Sequence, residues 1–398
     1  MGKIDHDAVL RARVLLLGSG RLRPLEEVHA YRVLAEVSPK AYLPKLVDAL
    51  LLMSYRSRDP EVDLTLTAEA VEAARRIEAG APARAERLHR ALDAYQRALF
   101  ALGRRAEGRA ACEEMAQAGR SGRLAEVLAE EGRFHEAAKL NEDAARNGTP
   151  EFWNRVEWAA NLEGAGLHDA AAAVFGELLD RTRREAAGQR TALAVLTWEL
   201  VHLSRMREAA GHGADAAAVR RQALTVLEEL ATTGEPKNWS CLLGWWVTLF
   251  ALSGRADEPA ASAESPMPPF GTDLRRSSAT RVSFLGTQPG LEAEAEALRG
   301  AGPLPELVDV QRRISIRAAI RDGDHPYRFE ERFTPYFDEG VALARRLPDD
   351  PARLARALTD RSMFLVAART FEPAYADFAE AVAVADARWR IRRAPRAR

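Results

Sequence analysis

Apolar residues recur along this chain at the three- and four-residue spacing of a helix. Leu193, Leu196, Leu200 and Leu203 form one such stripe, and Trp239, Leu242, Leu243, Trp246, Leu249 and Phe250 form another. Ala, Leu, Glu and Arg dominate, and all four are strong helix formers. Alternating β-branched runs are nearly absent, with Arg281–Leu285 the one weak strand candidate. The helical pattern is punctuated at Gly18-Ser19-Gly20, Pro39, Asp59-Pro60, Gly80-Ala81-Pro82, Gly103, Gly132, Gly148-Thr149-Pro150 and Gly166, residues that stop one helix or start the next. The pattern predicts an all-α chain.

The punctuation also repeats. Glu131-Gly132-Arg133-Phe134-His135-Glu136-Ala137-Ala138 is echoed by Gly164-Ala165-Gly166-Leu167-His168-Asp169-Ala170-Ala171, with His135 and His168 33 residues apart. Related turns occur at Leu102-Gly103-Arg104, at Ser253-Gly254-Arg255 and at Ala368-Arg369-Thr370-Phe371. A period near 30 residues with a turn of this kind reads as stacked antiparallel helix hairpins. The motif resembles the tetratricopeptide (TPR) repeat, most clearly over residues 84–182. Ala137, Ala144 and Ala170 stand where that family packs two helices through small side chains, and Pro150 closes a unit. The resemblance implies an α-solenoid with a concave inner surface that binds peptides or proteins, and a regulatory role, since such arrays also form sensor halves of bacterial regulators. The implied organisation is N-terminal hairpins over 1–83, a TPR-like array over 84–255, a Pro/Ser/Gly-rich linker or long loop over 256–303, a C-terminal helical module over 304–387 and a basic tail over 388–398. Pro259, Pro266, Pro268 and Pro269 mark the linker.

A single hairpin cannot cover its own apolar face, so stacking covers the seams and leaves one long face open. Helical-wheel arithmetic places candidate binding residues opposite the core stripes. These are Arg90 and Arg97 in the helix near 86–101, Asn154, Trp158 and Asn161 in the helix near 152, and Trp198, His202 and Arg205 in the helix near 190–206. Large aromatics beside fixed hydrogen-bond donors are typical of binding hot spots. The competing reading is that a Trp opposite the main stripe packs against the next hairpin. Where the family's peptide-carboxylate clamps carry Lys next to such an Asn, this chain has Glu157.

Composition narrows the chemistry. The 398 residues are 47% hydrophobic and 29% charged, with 57 basic and 58 acidic side chains. That balance argues against bulk-charge binding of a polyanion. Two cysteines, Cys112 and Cys241, exclude a disulfide scaffold or a Cys-rich metal site. His135-Glu136 begins like a zinc-protease helix, but Lys139 stands where the second His would be. Gly18-Ser19-Gly20 lacks the Lys-Ser/Thr of a phosphate loop, and Asp322-Gly323-Asp324 is too short for a calcium loop. No catalytic, cofactor-binding or metal-ligating residue is assigned, and the expectation is a non-enzymatic scaffold that needs no cofactor. The charge-free stretch Asn238–Ser253 is too short and too polar to cross a bilayer, and Asp5 and Asp7 do not suit a signal peptide. A cytoplasmic protein with a protein or peptide partner and no membrane partner is expected. Arg275-Arg276-Ser277-Ser278 is a candidate phosphorylation site. Two alternatives are a nucleic-acid-linked regulator, which predicts salt-dependent binding lost on deleting residues 388–398, and an enzyme whose site gathers residues distant in sequence.

Overall fold

The computed structural model describes residues 5–18, 22–147, 152–188, 192–235, 242–272, 274, 278–323 and 329–393. Among them the regular structure is helical throughout and no strand occurs. The chain divides into two compact units, Met1–Leu124 and Ala125–Arg398. The first holds α1 (His6–Leu17), α2 (Pro24–Val37), α3 (Pro39–Arg56), α4 (Pro60–Arg75), α5 (Arg84–Ala101) and α6 (Arg105–Gln117), and the division falls inside α7 (Gly122–Glu130). The second continues with α8 (Phe134–Asn147), α9 (Phe152–Gly164), α10 (His168–Gly188), α11 (Leu193–Ala209), α12 (Gly213–Thr233) and α13 (Leu242–Ser253). After a short 3₁₀ turn at Arg255–Asp257 come α14 (Ala279–Gly286), α15 (Gln288–Ala301), α16 (Leu304–Asp322), α17 (Phe329–Arg345), α18 (Pro351–Ala368) and α19 (Phe371–Arg393).

The punctuation acts as read. Pro24, Pro39, Pro60 and Pro351 occupy first turns, where no donor is lost. Asp59 and Asp350 cap backbone N–H groups that the helix leaves open. The recurring turn has one geometry: Gly103, Gly132 and Gly166 have φ of 72°, 74° and 77°, and Arg369 takes φ 66° at the related C-terminal turn. A left-handed residue ends one helix and lets the next fold back. Gly254 differs, with φ −96°; there a Cβ would meet Ile316 Cδ1 at 2.1 Å, so close helix approach is what excludes a side chain. Ala137 is buried, whereas Ala144 and Ala170 face solvent and Ala171 and Ala172 are the buried small residues of their unit. The punctuation at Ser19-Gly20 and Gly148-Thr149-Pro150, Cys241, the start of the charge-free stretch at 238–241, Asp324 and the candidate phosphorylation residues Arg275–Ser277 lie outside the described residues.

In the first unit each helix from α1 to α6 packs on its sequence neighbours. In the second, α8 to α12 do the same, as do α15 to α19. The second row then returns to the first: α19 packs along α12, and α13 packs against α11, α16 and α18. Unit 2 is therefore closed on itself around a shared core, with Trp246 at its centre. Its ring lies 5.7 Å from Phe250, 5.3 Å from Phe329 and 5.8 Å from Phe333. Burial on this scale stabilises each aromatic by about 1.5–3 kcal/mol.

The stretch 256–303 is not a free linker. Residues 279–301 are mostly helical, and the weak strand candidate Arg281–Leu285 lies in α14. Segment 258–272 lacks regular structure but is laid onto the array: the Met267 amide donates to the Glu130 carbonyl, and Phe270 is buried. A Cβ at Gly132 would stand 2.4 Å from the Ala261 carbonyl oxygen, whereas one at Gly166 meets nothing within 4 Å. Both glycines have positive φ, so both Ala variants carry the left-handed strain of roughly 1–2 kcal/mol. Gly132→Ala is expected to lose about 1–3 kcal/mol more than Gly166→Ala in urea unfolding, because only it displaces the segment. Equal losses would mean that the segment does not seat there.

Candidate functional site

The closure of unit 2 leaves a cavity of about 300 Å³, lined by α11, α12, α13, α16, α18 and α19. Its floor is apolar. Trp198, Trp246, Leu249, Phe250, Met363 and Phe378 come from four helices whose core stripes converge there. Trp198 is fixed by its indole N–H, which donates to the Met363 carbonyl at 3.1 Å. The rim carries Arg205, Arg220, Arg312 and Arg356 with Glu208 and Asp360.

The rim charges are tied in pairs. Arg312, buried, reaches Asp257 at 2.6 Å and Asp360 at 2.7 Å and donates to the Ser253 hydroxyl at 2.6 Å. Burial pulls its pKa down, but the two carboxylates outweigh that and hold it above the ordinary value. Arg356 lies 2.5 Å from Asp309, and Arg220 lies 2.9 Å from Glu208. Glu163 on α9 accepts from Arg205 at 2.8 Å and from Arg255 at 3.2 Å. Burial pushes the Glu163 carboxyl up, yet the surrounding cations bring it down to about 2. His202 is driven well below its ordinary value by burial and by Arg205, Glu163 opposing. It is neutral, and its Nε2 accepts from Arg205 Nη2 at 3.1 Å.

Wheel-predicted residues separate into three environments. Trp198, His202 and Arg205, one face of α11, line the cavity together. Arg90 and Arg97 lie in unit 1, exposed on an open groove between α3 and α5 that also shows Leu52 and Tyr55. They pair with Asp48 at 3.2 Å and Asp93 at 3.0 Å. The three residues of α9 do not share a surface. Asn154 is exposed, Trp158 is half-buried against the core, and Asn161 is 1% exposed and donates to Asn141 at 2.8 Å. Asn161 joins two helices, and the open-face position given to it by the wheel is covered by α8. Trp198 and His202 are likewise buried, at 3% exposure each: the Trp198 indole is tied to the Met363 carbonyl of α18, and the His202 ring packs 5.0 Å from Phe175 of α10.

Glu163, Arg220, Trp246 and Arg312 were not singled out by pattern. Trp246 reads as one more residue of an apolar stripe, and Arg220 and Arg312 sit among many helix-surface arginines. Of the basic tail, α19 reaches Arg393 and residues 394–398 lie outside the described part. Among the described residues no cluster of three His, Cys, Asp or Glu is arranged to hold a metal, and no helix is long and apolar enough to cross a membrane. Compared with known proteins, the chain matches no family model and no curated relative.

Proposed function

We propose that this chain is a non-enzymatic regulatory scaffold of TPR-like repeats that holds a peptide or protein partner, and that an apolar group enters the cavity of unit 2 when it binds. The left-handed turns at Gly103, Gly132 and Gly166 support the repeat reading. The observation that carries the binding reading is the commitment of the cavity's charged groups to one another. Asp360 is held by Arg312, Glu208 by Arg220, and the His202 ring nitrogen by Arg205. General acid–base and nucleophilic catalysis need an uncommitted base beside a reacting atom. An apolar floor with fixed polar groups at its edge instead suits recognition of a compact group.

The test fills the cavity without touching its ion pairs. Ala355 lines it from α18 and is only partly buried. Selection from a displayed peptide pool on the full chain is expected to enrich aromatic-containing sequences. Ala355→Phe is expected to lose that enrichment while its melting temperature stays within a few degrees. Enrichment of the same peptides by the filled variant, or of none by the native chain, would overturn the proposal.

A further inference from the structure

Charge around the cavity is balanced. Each lining arginine has a carboxylate beside it: Arg205 has Glu163 at 2.8 Å, Arg220 has Glu208 at 2.9 Å, Arg312 has Asp257 at 2.6 Å and Arg356 has Asp309 at 2.5 Å. The two lining carboxylates are engaged in turn, Glu208 by Arg220 and Asp360 by Arg312 at 2.7 Å. His202 is neutral, since burial and Arg205 drive its pKa well below the ordinary value. The uncharged polar groups have also given up their protons: the hydroxyls of Ser204, Ser253 and Thr359 donate to the carbonyls of Val201, Phe250 and Ala355, and the Trp198 indole donates to Met363. A charged occupant would leave water without meeting an unengaged counterion, so its lost hydration would go uncompensated.

Resting on the reading that this cavity is the binding site, we infer that its occupant is an uncharged two-ring aromatic group the size of indole. Trp198, Trp246, Phe250 and Phe378 line the cavity from α11, α13 and α19, so an aryl body meets aryl faces and edges. Volume sets the number of rings. An apolar cavity of about 150 Å³ takes one benzene, and this one holds about 300 Å³. Two sources carry this chemistry: a free uncharged bicyclic molecule, or the side chain of a Trp within a peptide.

Calorimetric titration of the full chain separates them. The probes are indole, benzene, indole-3-acetate and tryptamine, with the blocked peptide Gly-Trp-Gly. The tighter of indole and the peptide names the source. Indole is expected to bind at least about tenfold tighter than indole-3-acetate and tryptamine alike, because each carries a charge that the paired rim does not engage. Benzene leaves about half the cavity empty and is expected to bind about fivefold more weakly than indole. Glu208→Gln removes one rim carboxylate and leaves Arg220 without its counterion. In that variant indole-3-acetate is expected to gain about fivefold relative to indole and tryptamine to lose; a merely structural role would move all three together. If either charged probe or benzene binds the native chain as tightly as indole, or the Glu208 variant leaves the ratios unchanged, the inference fails and the cavity reading stands. If Ala355→Phe binds indole and the peptide as the native chain does, or no probe binds the native chain at millimolar concentration, both fail.

Discussion

Glu199→Gln is expected to stabilise the folded chain at pH 8 by roughly 2–4 kcal/mol and to leave it unchanged near pH 4. Glu199 is fully buried on α11, and its Oε1 accepts from the Thr182 hydroxyl at 3.1 Å while Oε2 has no partner. Burial pushes its carboxyl up from 4.5 to about 8, the Thr182 bond opposing. An unfolded chain releases this proton near pH 4.5, whereas the folded chain keeps it until about pH 8. Between those values the folded state binds more protons, so stability falls as pH rises and levels off above pH 8. Glutamine imitates the protonated acid at every pH, so the difference between native and variant chains should grow across that window. Urea unfolding at pH 4, 6 and 8 reads it directly. A difference that stays flat with pH would show that Glu199 is ionised in the folded chain.

Glu258→Gln is expected to cost about 3–5 kcal/mol, the opposite sign from the first variant. Glu258 and Arg317 are each 2% exposed and lie 2.7 Å apart, with Arg313 a second cation at 3.1 Å. Arg317 also stacks on the Phe284 ring at 3.9 Å. Removing one charge leaves a guanidinium in a dry site without its counterion, which is costlier than losing the pair. The double variant Glu258→Gln with Arg317→Met is therefore expected to be more stable than Glu258→Gln alone, since methionine keeps an apolar stem against Phe284. A double variant that is the less stable of the two would show that the arginine is well solvated without its partner.

These two sites also show where sequence reading succeeds and where it ends. Leu193, Leu196, Leu200 and Leu203 announce α11 and its core face correctly, because a 3.6-residue period puts them on one side whatever they later meet. The same arithmetic puts Trp198, His202 and Arg205 on one face, and they do line one cavity. It gives no sign that Glu199 would be buried. A carboxylate on an otherwise apolar helix reads as solvated until a neighbouring helix covers it. Asp257 and Glu258, beside Pro259, read as the polar start of a linker; they are instead anchors, held by Arg312 and Arg317 from more than fifty residues away. Charge in a sequence is visible, but the partner that makes it structural is not.

The amino-acid sequence alone determined the helices, their caps and the left-handed turns between them, because each depends on residues within a few positions of one another. Only the tertiary structure decided that the second row of helices returns to the first, that α18 packs against α11, and that Arg205, Arg220, Arg312 and Arg356 gather at the rim of an apolar floor. The bond from Trp198 to Met363 spans 165 residues. Contacts of that reach depend on how all the intervening helices stack, and local periodicity carries no record of it.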